Sequence, residues 1–274
     1  MIIGAAGAVQ ARMGSKPMTE EDTYISYLPA PHSFEQAVFG MSVIAGMKAG
    51  FFGGNVLKLT EDMGILKPTL FPSVPRLYNR IYGKIKDGMK QATGLKGWLV
   101  NTAVNSKMTY LKNGQGLTHG FYDKIVFKKM KNLLGGKVRM MITGSAPISG
   151  EVLDFLKLCF SCDICEGYGM TETCAGSCVT FPGDPETGIV GGPLNNVKIR
   201  LRDIPEMGYL HTNDPPKGEI CFWGPSIMKG YFRNPEKTKE AFHNDWLLSG
   251  DVGQINPNGS IKIVDRAKNI FKLS

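Results

Sequence analysis

A short run of residue types suited to holding a nucleotide lies in the second half of the chain, from Glu166 to Glu172, with the sequence Glu-Gly-Tyr-Gly-Met-Thr-Glu. Its glycines let the backbone approach a ligand closely, and Tyr168 between them can stack on a flat base, a contact worth about 1–3 kcal/mol. Thr171 can donate a hydrogen bond to a phosphate oxygen. Glu172 can hold Mg²⁺, which takes oxygen ligands and shares them with phosphate. The alternative is a glycine-rich turn that carries a surface tyrosine.

Two strands and a helix must position this run. Residues 138–143 are a short apolar run that ends in Gly-Ser-Ala-Pro, as expected for a buried parallel strand that leads into a loop. Ser149 is a suitable N-cap for the following amphipathic helix, and a second short strand ends at residues 167–169. Because parallel strands end at the same sheet edge, where α/β proteins bind ligands, we expect the loops 144–149 and 167–172 to converge.

The rest of the chain divides into two regions that differ in sequence pattern. Upstream, the pattern predicts a strand-like run over 24–29, an apolar helix from about Ser33 to Ala49 and a helix that begins at Pro75. After about residue 188, short alternating runs are separated by Gly and Pro. Asn234-Pro235 predicts a helix start, and Pro257-Asn258-Gly259 predicts a turn between strands over 252–255 and 261–264. We therefore predict an α/β fold with parallel-rich sheets flanked by helices over 1–188, followed by a β-rich subdomain over 189–265.

Asp251 is a second candidate binding residue, in a predicted tight Ser-Gly-Asp turn. Its carboxylate can accept hydrogen bonds from both hydroxyls of a ribose, at about 1.5–3 kcal/mol for a bond to a charged group. The alternative is an aspartate that only stabilises the turn through its own backbone.

Positive charge is concentrated in residues 76–139, where 14 Lys and Arg stand against Asp87 and Asp123, a net +12 in a chain of net charge +8. Such a block can face an anionic membrane, where each cation contributes about 1 kcal/mol, or attract the phosphates of a nucleotide or of coenzyme A. The alternative is a set of solvated helix faces. The block has no nucleic-acid motif and no aromatic–basic interleaving, so no nucleic-acid partner is predicted.

The sequence shows no signal peptide and no credible membrane span, since its most apolar region, 37–54, contains Lys48 and five glycines. Six cysteines without a secretory signal favour free thiols in a reducing compartment. Cys159, Cys162 and Cys165 have a spacing superficially like that of iron–sulfur ligands. A Cys-ligated metal protein is therefore a remote alternative, weakened because the usual Cys-Pro ligand is missing and Cys159 also fits a buried helix face.

Four motifs in a fixed order give the chain a family resemblance. They are Val138 to Pro147, the Gly-Tyr-Gly-x-Thr-Glu run, Trp246 to Asp251 and Asp265 to Ser274, and further matches are Tyr27-Leu28-Pro29 and Val74-Pro75-Arg76-Leu77. This set resembles the acyl-adenylate-forming, AMP-binding superfamily, and in detail the long-chain fatty-acid–CoA ligases. The resemblance covers essentially the whole chain and implies a partial large domain of the adenylate-forming fold, with the hinge to a small domain beginning at 266–274.

The resemblance also assigns roles to residues. The adenine side of the site would be lined by Gly144, Ser145, Ala146 and Pro147, whose small side chains expose the backbone to the edge of the base. A plain strand-to-helix turn explains these four residues equally well. The nucleotide site would be completed by Gly167, Tyr168, Gly169, Thr171 and Asp251. Arg266 would contact ribose and phosphate, a role that suits a planar group with several donors, and its alternative is a surface ion pair with Asp265.

The resemblance makes His32, Thr171 and Glu172 the candidate catalytic residues, with Glu172 as the candidate Mg²⁺ ligand. His32 would lie near the acyl carboxylate and the α-phosphate. The chain departs from the family pattern nearby, with Pro31 where alanine is common and Gln36 where arginine is usual. Asp265 and Lys268 would lie at the hinge between the domains.

The implied reaction has two steps. A long-chain fatty acid attacks the α-phosphorus of Mg·ATP to give an acyl adenylate and pyrophosphate, and CoA then displaces AMP to give the thioester. ATP, Mg²⁺ and CoA are therefore the expected cofactors and co-substrates. The expected location is intracellular and membrane-associated, at the endoplasmic reticulum, mitochondrial outer membrane or peroxisome, with contact through residues 76–139.

The family's Ser/Thr/Gly-rich phosphate loop and its small C-terminal domain have no counterpart in these 274 residues. We therefore expect the sequence to be a fragment that alone makes no acyl-CoA at a useful rate. The alternative is a short chain that acts as a non-catalytic nucleotide- or acyl-binding module.

Overall fold

The computed structural model describes residues 1–267, which form two β-sheets and the helices around them. The predicted hinge residue Lys268 lies outside the described residues. The first sheet has the strand order β2-β1-β3-β4-β5-β6. Its strands are β1 (Thr23–Ser26), β2 (Lys48–Phe51), β3 (Leu70–Ser73), β4 (Met140–Thr143), β5 (Asp163–Tyr168) and β6 (Cys178–Val179). β1 to β5 are parallel and β6 is antiparallel to β5.

Helices cover both faces of this parallel sheet. The α-helices are α1 (Ile2–Arg12), α2 (Ser33–Ala45), α3 (Leu59–Leu66), α4 (Pro75–Lys90), α5 (Gly94–Lys112), α6 (Lys128–Asn132) and α7 (Gly150–Phe160), with a π-helical turn at Asp123–Phe127. A further helix, α8 (Pro235–Ala241), contacts the second sheet. In β4, Met141 packs with α4, α5 and α7, while Met140 and Ile142 pack with α1 and α2. Ile164 and Cys165 of β5 divide between the two layers in the same way. Alternation along each strand therefore places apolar side chains in both layers.

The helix predicted over Ser33 to Ala49 ends earlier, at Ala45, and that boundary was wrong. Gly46 adopts a left-handed conformation with φ 69°, and the amide of Met47 bonds the carbonyl of Ser42 at 2.8 Å. This bond and the left-handed conformation of Gly46 end the helix and turn the chain into β2. The remaining apolar residues continue as a strand, which a short apolar run does not distinguish from a helix. The helix predicted to begin at Pro75 is confirmed.

The basic segment 76–139 is partly internal. Lys107 of α5 is only 1% exposed, and its Nζ donates to Asp123 Oδ1, to the Leu158 carbonyl and to Ser161 Oγ, each at 2.7 Å. This ammonium joins α5 to the π-helical turn and to the end of α7. At least one cation of the block therefore supports the fold instead of facing a ligand or a membrane.

The second sheet is antiparallel and has the order β11-β10-β8-β7, with β9 on β10. Its strands are β7 (Lys198–Arg202), β8 (Lys217–Trp223), β9 (Phe242–His243), β10 (Trp246–Ile255) and β11 (Ile261–Arg266). The predicted hairpin at 257–259 is confirmed, as is the helix cap at Asn234, whose side chain accepts from the Lys237 amide at 3.0 Å. The domain division at about residue 188 stays a prediction.

Two further observations concern the cysteines and the membrane. All six cysteines are free thiols, and Cys159, Cys162 and Cys165 are buried. Within residues 1–267 there is no group of three or more His, Cys, Asp or Glu side chains suited to a metal ion. No helix in this part of the chain is long and apolar enough to cross a bilayer.

Candidate functional site

A cavity of about 310 Å³ lies where the carboxyl ends of β4 and β5 meet the start of α2. This volume is at the lower end of the range for small-molecule sites, about 300–1,000 Å³. Its lining contains the predicted site residues His32, Gly144, Ser145, Gly167, Tyr168, Gly169, Thr171 and Glu172. The parallel pairing of β4 with β5, with Thr143 opposite Glu166, brings their two loops together. The predicted convergence of these loops is therefore confirmed.

The Gly-Tyr-Gly run has one glycine that cannot be replaced without movement. A Cβ on Gly169 would lie 1.6 Å from the carbonyl oxygen of Ala175, far inside van der Waals contact. The chain folds back on itself here, since the Ser177 amide bonds the Tyr168 carbonyl at 2.8 Å. Close backbone packing, in addition to any approach by a ligand, thus requires a glycine at this position.

Tyr168 joins the two sheets at the edge of the cavity. Its hydroxyl donates to Asp251 Oδ2 at 2.8 Å, and its ring lies against Phe222 with the centroids 5.9 Å apart. Burial and the neighbouring Asp251 carboxylate raise the pKa of Tyr168 well above its ordinary value, so the hydroxyl remains a donor. Two motifs that are 83 residues apart in sequence therefore meet at one hydrogen bond.

Asp251 lies within β10, so the predicted tight turn at this aspartate was wrong. Gly250 has φ 74° and the pairing of β10 with β8 shifts register between Leu248 and Val252, which marks a bulge. The backbone amide of Asp251 donates to Ser249 Oγ at 3.0 Å, so it is the Ser249 side chain that stabilises this local bend. The Asp251 carboxylate is thereby left for other partners, which disagrees with the interpretation of a purely turn-stabilising aspartate.

Arg266 is placed opposite Asp251 by the register of β10 and β11. Its Nε lies 3.5 Å from Asp251 Oδ1, and its side chain is 72% exposed. Tyr168, Asp251 and Arg266 therefore form a chain of polar groups at the edge of the cavity. The side chain of Asp265 bonds the neighbouring backbone instead, since its Oδ1 accepts from the Arg266 amide at 2.7 Å.

Glu172 is held at two points by a segment that the sequence interpretation missed. The hydroxyl of Tyr231 donates to Glu172 Oε1 at 2.7 Å, and the amide of Met228 donates to the Glu172 carbonyl at 2.8 Å. The Glu172 carboxylate raises the pKa of Tyr231 to about 12, so this phenol also remains a donor. The only sequence signal was an aromatic residue after Gly230, which is too common to identify a partner.

The threonines beside Glu172 have separate roles. Thr173 is buried, and its Oγ1 accepts from the Met170 amide at 3.0 Å, which closes the short turn. Thr171 is exposed and lines the cavity. The hydroxyl available to a ligand is thus that of Thr171.

His32 occupies the N-cap of α2 at the cavity wall. Its Nδ1 accepts from the Phe34 amide at 3.1 Å. In the neutral ring the hydrogen is therefore on Nε2, which can donate to an anionic oxygen. The side chain is exposed, so a ligand in the cavity can reach it.

The loop after β4 enters the cavity only in part. Gly144 and Ser145 line it, and Ser145 adopts a left-handed conformation with φ 72°. Ala146 and Pro147 are exposed and follow in the same loop, outside the lining. Their role at the adenine side stays a prediction.

One wall of the cavity is apolar, and sequence reasoning did not identify it. Its residues come from α1, α2, β4 and β6, and are Val9, Phe34, Ala37, Val38, Met41, Ile142 and Val179. They look like ordinary core positions in the sequence, because a cavity wall and a core have the same composition. The cavity thus combines a polar edge with an apolar wall.

Loops at the ends of parallel strands, with a tyrosine bonded to an aspartate from a second sheet, place the chain among α/β domains that have a ligand-sized cavity at the carboxyl ends of their strands. The family described as AMP-binding enzyme matches residues 2–232, so the chain belongs to this family.

Among curated proteins, the chain is 48% identical over 257 residues to long-chain-fatty-acid–CoA ligase 5 of Rattus norvegicus, covering 93% of this chain and 37% of that protein. It is 47% identical to the peroxisomal long chain acyl-CoA synthetase 7 of Arabidopsis thaliana, covering 92% of this chain and 36% of that one. The chain thus spans little more than a third of the length of these relatives.

Solved structures agree on the fold. The N-terminal domain of FACL13 from Mycobacterium tuberculosis has a TM-score of 0.67 at 18% identity, covering 97% of this chain and 55% of that one. The A-PCP didomain of carboxylic acid reductase from Segniliparus rugosus, in complex with AMP, has a TM-score of 0.69 at 24% identity, covering 98% and 33%. The predicted adenylate-forming fold class is therefore confirmed.

Proposed function

We propose that this chain forms the nucleotide and acyl-binding part of a long-chain fatty-acid–CoA ligase, in which ATP and a fatty acid give an acyl adenylate that CoA converts to the thioester. The observation that carries the proposal is the bond between Tyr168 and Asp251 at the edge of a cavity with an apolar wall. A polar edge suits an adenosine phosphate, and an apolar wall suits the first part of an acyl chain. Relatives named long-chain-fatty-acid–CoA ligase and long chain acyl-CoA synthetase support the same reaction.

Each group has a role that its geometry permits. Asp251 accepts from the ribose hydroxyls and is held in place by Tyr168 and Arg266. Thr171 and the Nε2 hydrogen of His32 donate to oxygens of the phosphate and the acyl carboxylate. Positioning and neutralisation of oxygen charge are what this kind of phosphoryl chemistry needs.

Mg²⁺ fits Glu172. A carboxylate oxygen is the donor that Mg²⁺ prefers, and this cation is commonly held by one or two carboxylates together with substrate phosphates. When bound, it would neutralise charge on the phosphate oxygens. Tyr231 holds one oxygen of Glu172 and so orients the carboxylate toward the cavity that Glu172 lines.

The test uses the full 274-residue chain and two ligands, AMP and a non-hydrolysable C16 acyl-adenylate analogue, measured by isothermal titration calorimetry. The analogue should bind at least about 10-fold tighter, because two buried CH₂ groups already contribute about 1.6 kcal/mol. Phe34→Ser in the apolar wall should reduce this preference and leave AMP affinity unchanged. Thioester formation from C16 acid, ATP and CoA is measured with the same chain.

The outcomes separate the alternatives. Failure to bind AMP rejects the nucleotide site altogether. Equal affinity for AMP and the C16 analogue rejects the acyl part and favours a nucleotide-binding module without acyl specificity. Thioester formation at a rate typical of an intact enzyme would show that these 274 residues suffice for catalysis.

Peripheral membrane contact is a further part of the proposal. Leu95 and Trp98, one turn apart at the start of α5, are 86% and 65% exposed. Exposed Lys96 lies between them in the sequence, and exposed Lys90 ends the preceding helix. A tryptophan beside lysines suits the interface of an anionic bilayer. Sedimentation with vesicles should therefore require anionic lipid and should weaken in Trp98→Ser. Equal binding to neutral vesicles would contradict this contact.

A further inference from the structure

A second cavity, of about 540 Å³, lies at the opposite edge of the parallel sheet. It is bordered by residues that precede β4 and β5, whereas the candidate nucleotide site follows the carboxyl ends of these strands. Its charged lining residues are Lys16, Lys131, Lys137, Arg139, Lys157, Asp163 and Asp184. Five cations against two carboxylates make it a basic cavity separate from the site described above.

Three of these cations already have carboxylate partners. Lys16 pairs with Asp163 and Arg139 pairs with Asp22. Lys131 Nζ lies 3.6 Å from an oxygen of Asp123. These pairs hold the cavity walls in place and leave little charge for a ligand.

Lys157 has no such partner. It is 5% exposed, and its Nζ donates to the Asp184 carbonyl at 3.3 Å, a long bond. Among residues 1–267, no carboxylate lies within 4.0 Å of this nitrogen. The carboxyl groups of Asp154 and Glu166 interact with this ammonium only from beyond 4.0 Å. A buried ammonium is costly unless it is paired at close range, so its position in the lining of a cavity indicates an anionic ligand.

Lys137 supplies a second ammonium to the same cavity. It is exposed, and no carboxylate within the described residues lies within 4.0 Å of its Nζ. The Asp184 carboxylate also lines the cavity, so the groups without ion-pair partners there keep a net charge of +1. A phosphate monoester is an anion that offers three acceptor oxygens to the two ammonium groups.

Part of the remaining lining is apolar, with Leu111, Leu117, Val138 and Phe160, beside the hydroxyls of Thr118 and Ser161. We propose that this cavity binds a phosphate monoester whose organic part is apolar or aromatic. Lys157 and Lys137 contact the phosphate, and the apolar walls contact the organic part. This inference does not depend on the reaction proposed above.

The experiment is isothermal titration calorimetry of phenyl phosphate and inorganic phosphate into the full chain, with saturating AMP present to occupy the nucleotide site. Phenyl phosphate should bind more tightly than inorganic phosphate. Lys157→Met and Lys137→Gln should each weaken its binding about 10-fold, as expected for the loss of a bond between charged groups. Lys129→Gln, an exposed lysine of the same basic segment outside the lining, should leave binding unchanged.

A second experiment measures binding to vesicles that contain phosphatidic acid, since lipids carry the same phosphate group. Vesicle capture that Lys137→Gln abolishes, without binding of phenyl phosphate, would support the phosphate site and assign its ligand to a lipid headgroup. Absence of both kinds of binding, or binding that Lys137→Gln does not weaken, overturns the proposal. Because Lys137 is exposed, its variant keeps the test valid even if Lys157→Met fails to fold.

Discussion

The two sides of the candidate nucleotide site are built from different parts of the polypeptide. The parallel sheet contributes loops at strand ends, with small residues and backbone at Gly144, Ser145, Gly167 and Gly169. The antiparallel sheet contributes a charged side chain, Asp251, from the interior of a strand. The first side depends on close backbone packing, and the second depends on side-chain charge.

This difference has a physical origin. Parallel strands end together at one edge, so their loops form a site without special geometry. A side chain in an antiparallel strand points to one face of the sheet, and a bulge can redirect it. The bulge at Gly250 accompanies the bond from Tyr168 to Asp251 and so links the two sides.

The largest effect is expected on the backbone side, from Gly169→Ala. The added Cβ would overlap the Ala175 carbonyl, and we expect the free energy of unfolding to fall by about 3 kcal/mol in urea denaturation. Gly167→Ala is the matched control, because its Cβ would lie 3.5 Å from the nearest atom, and its cost should stay below about 1 kcal/mol. Equal costs for the two variants would show that close packing does not distinguish these glycines.

On the charged side, Asp251→Ala should raise the Kd for AMP about 100-fold. Each of two bonds from ribose hydroxyls to the carboxylate contributes about 1.5 kcal/mol. Isothermal titration calorimetry with AMP measures the Kd. Glu206→Ala is the control, because Glu206 is an exposed carboxylate of the same β-rich region. If both variants bind AMP equally well, Asp251 does not contact the nucleotide.

A smaller effect is expected from Tyr231→Phe, which removes one hydrogen bond to Glu172. Affinity for Mg·ATP should fall about 5-fold, as expected for a bond worth about 1 kcal/mol, while AMP affinity without Mg²⁺ stays constant. Phe232→Leu, at the adjacent exposed position, should change neither value. An equal loss of AMP affinity in Tyr231→Phe would instead indicate a general change in the site.

A pH-dependent change in stability is expected from Glu166→Gln, which keeps the size of the side chain. Glu166 is buried beside the Gly188 amide, and burial raises its pKa to about 7 from an ordinary value of 4.5. The unfolded chain therefore loses this proton before the folded chain does, and stability falls as pH rises from 4.5 through 7.

The variant and the parent should have similar stability near pH 4, and the variant should be the more stable protein at pH 8. Urea denaturation across this range measures the difference, with Glu206→Gln as the exposed control. A difference that does not grow with pH would show that Glu166 ionises normally. The parallel-sheet side would then contain a charged group at neutral pH.

Much of the parallel-sheet side could be predicted from the sequence. A short apolar run that ends in glycine and serine identified β4, and the Gly-Tyr-Gly run identified the end of β5. These signals are local, because strand ends and glycine-rich loops occupy adjacent residues. The antiparallel side was less predictable, since the bulge at Gly250 depends on pairing with β8.

The sequence by itself determined the motif order, the parallel strands whose loops converge, and the identity of Tyr168, Thr171, Glu172 and Asp251 as candidate site residues. Local residue types and their spacing carry that information. Only the tertiary structure decided that Tyr168 bonds Asp251 and that Tyr231 orients Glu172, because these partners are 83 and 59 residues apart. Contacts across such distances depend on how two sheets pack, and no local pattern encodes that packing.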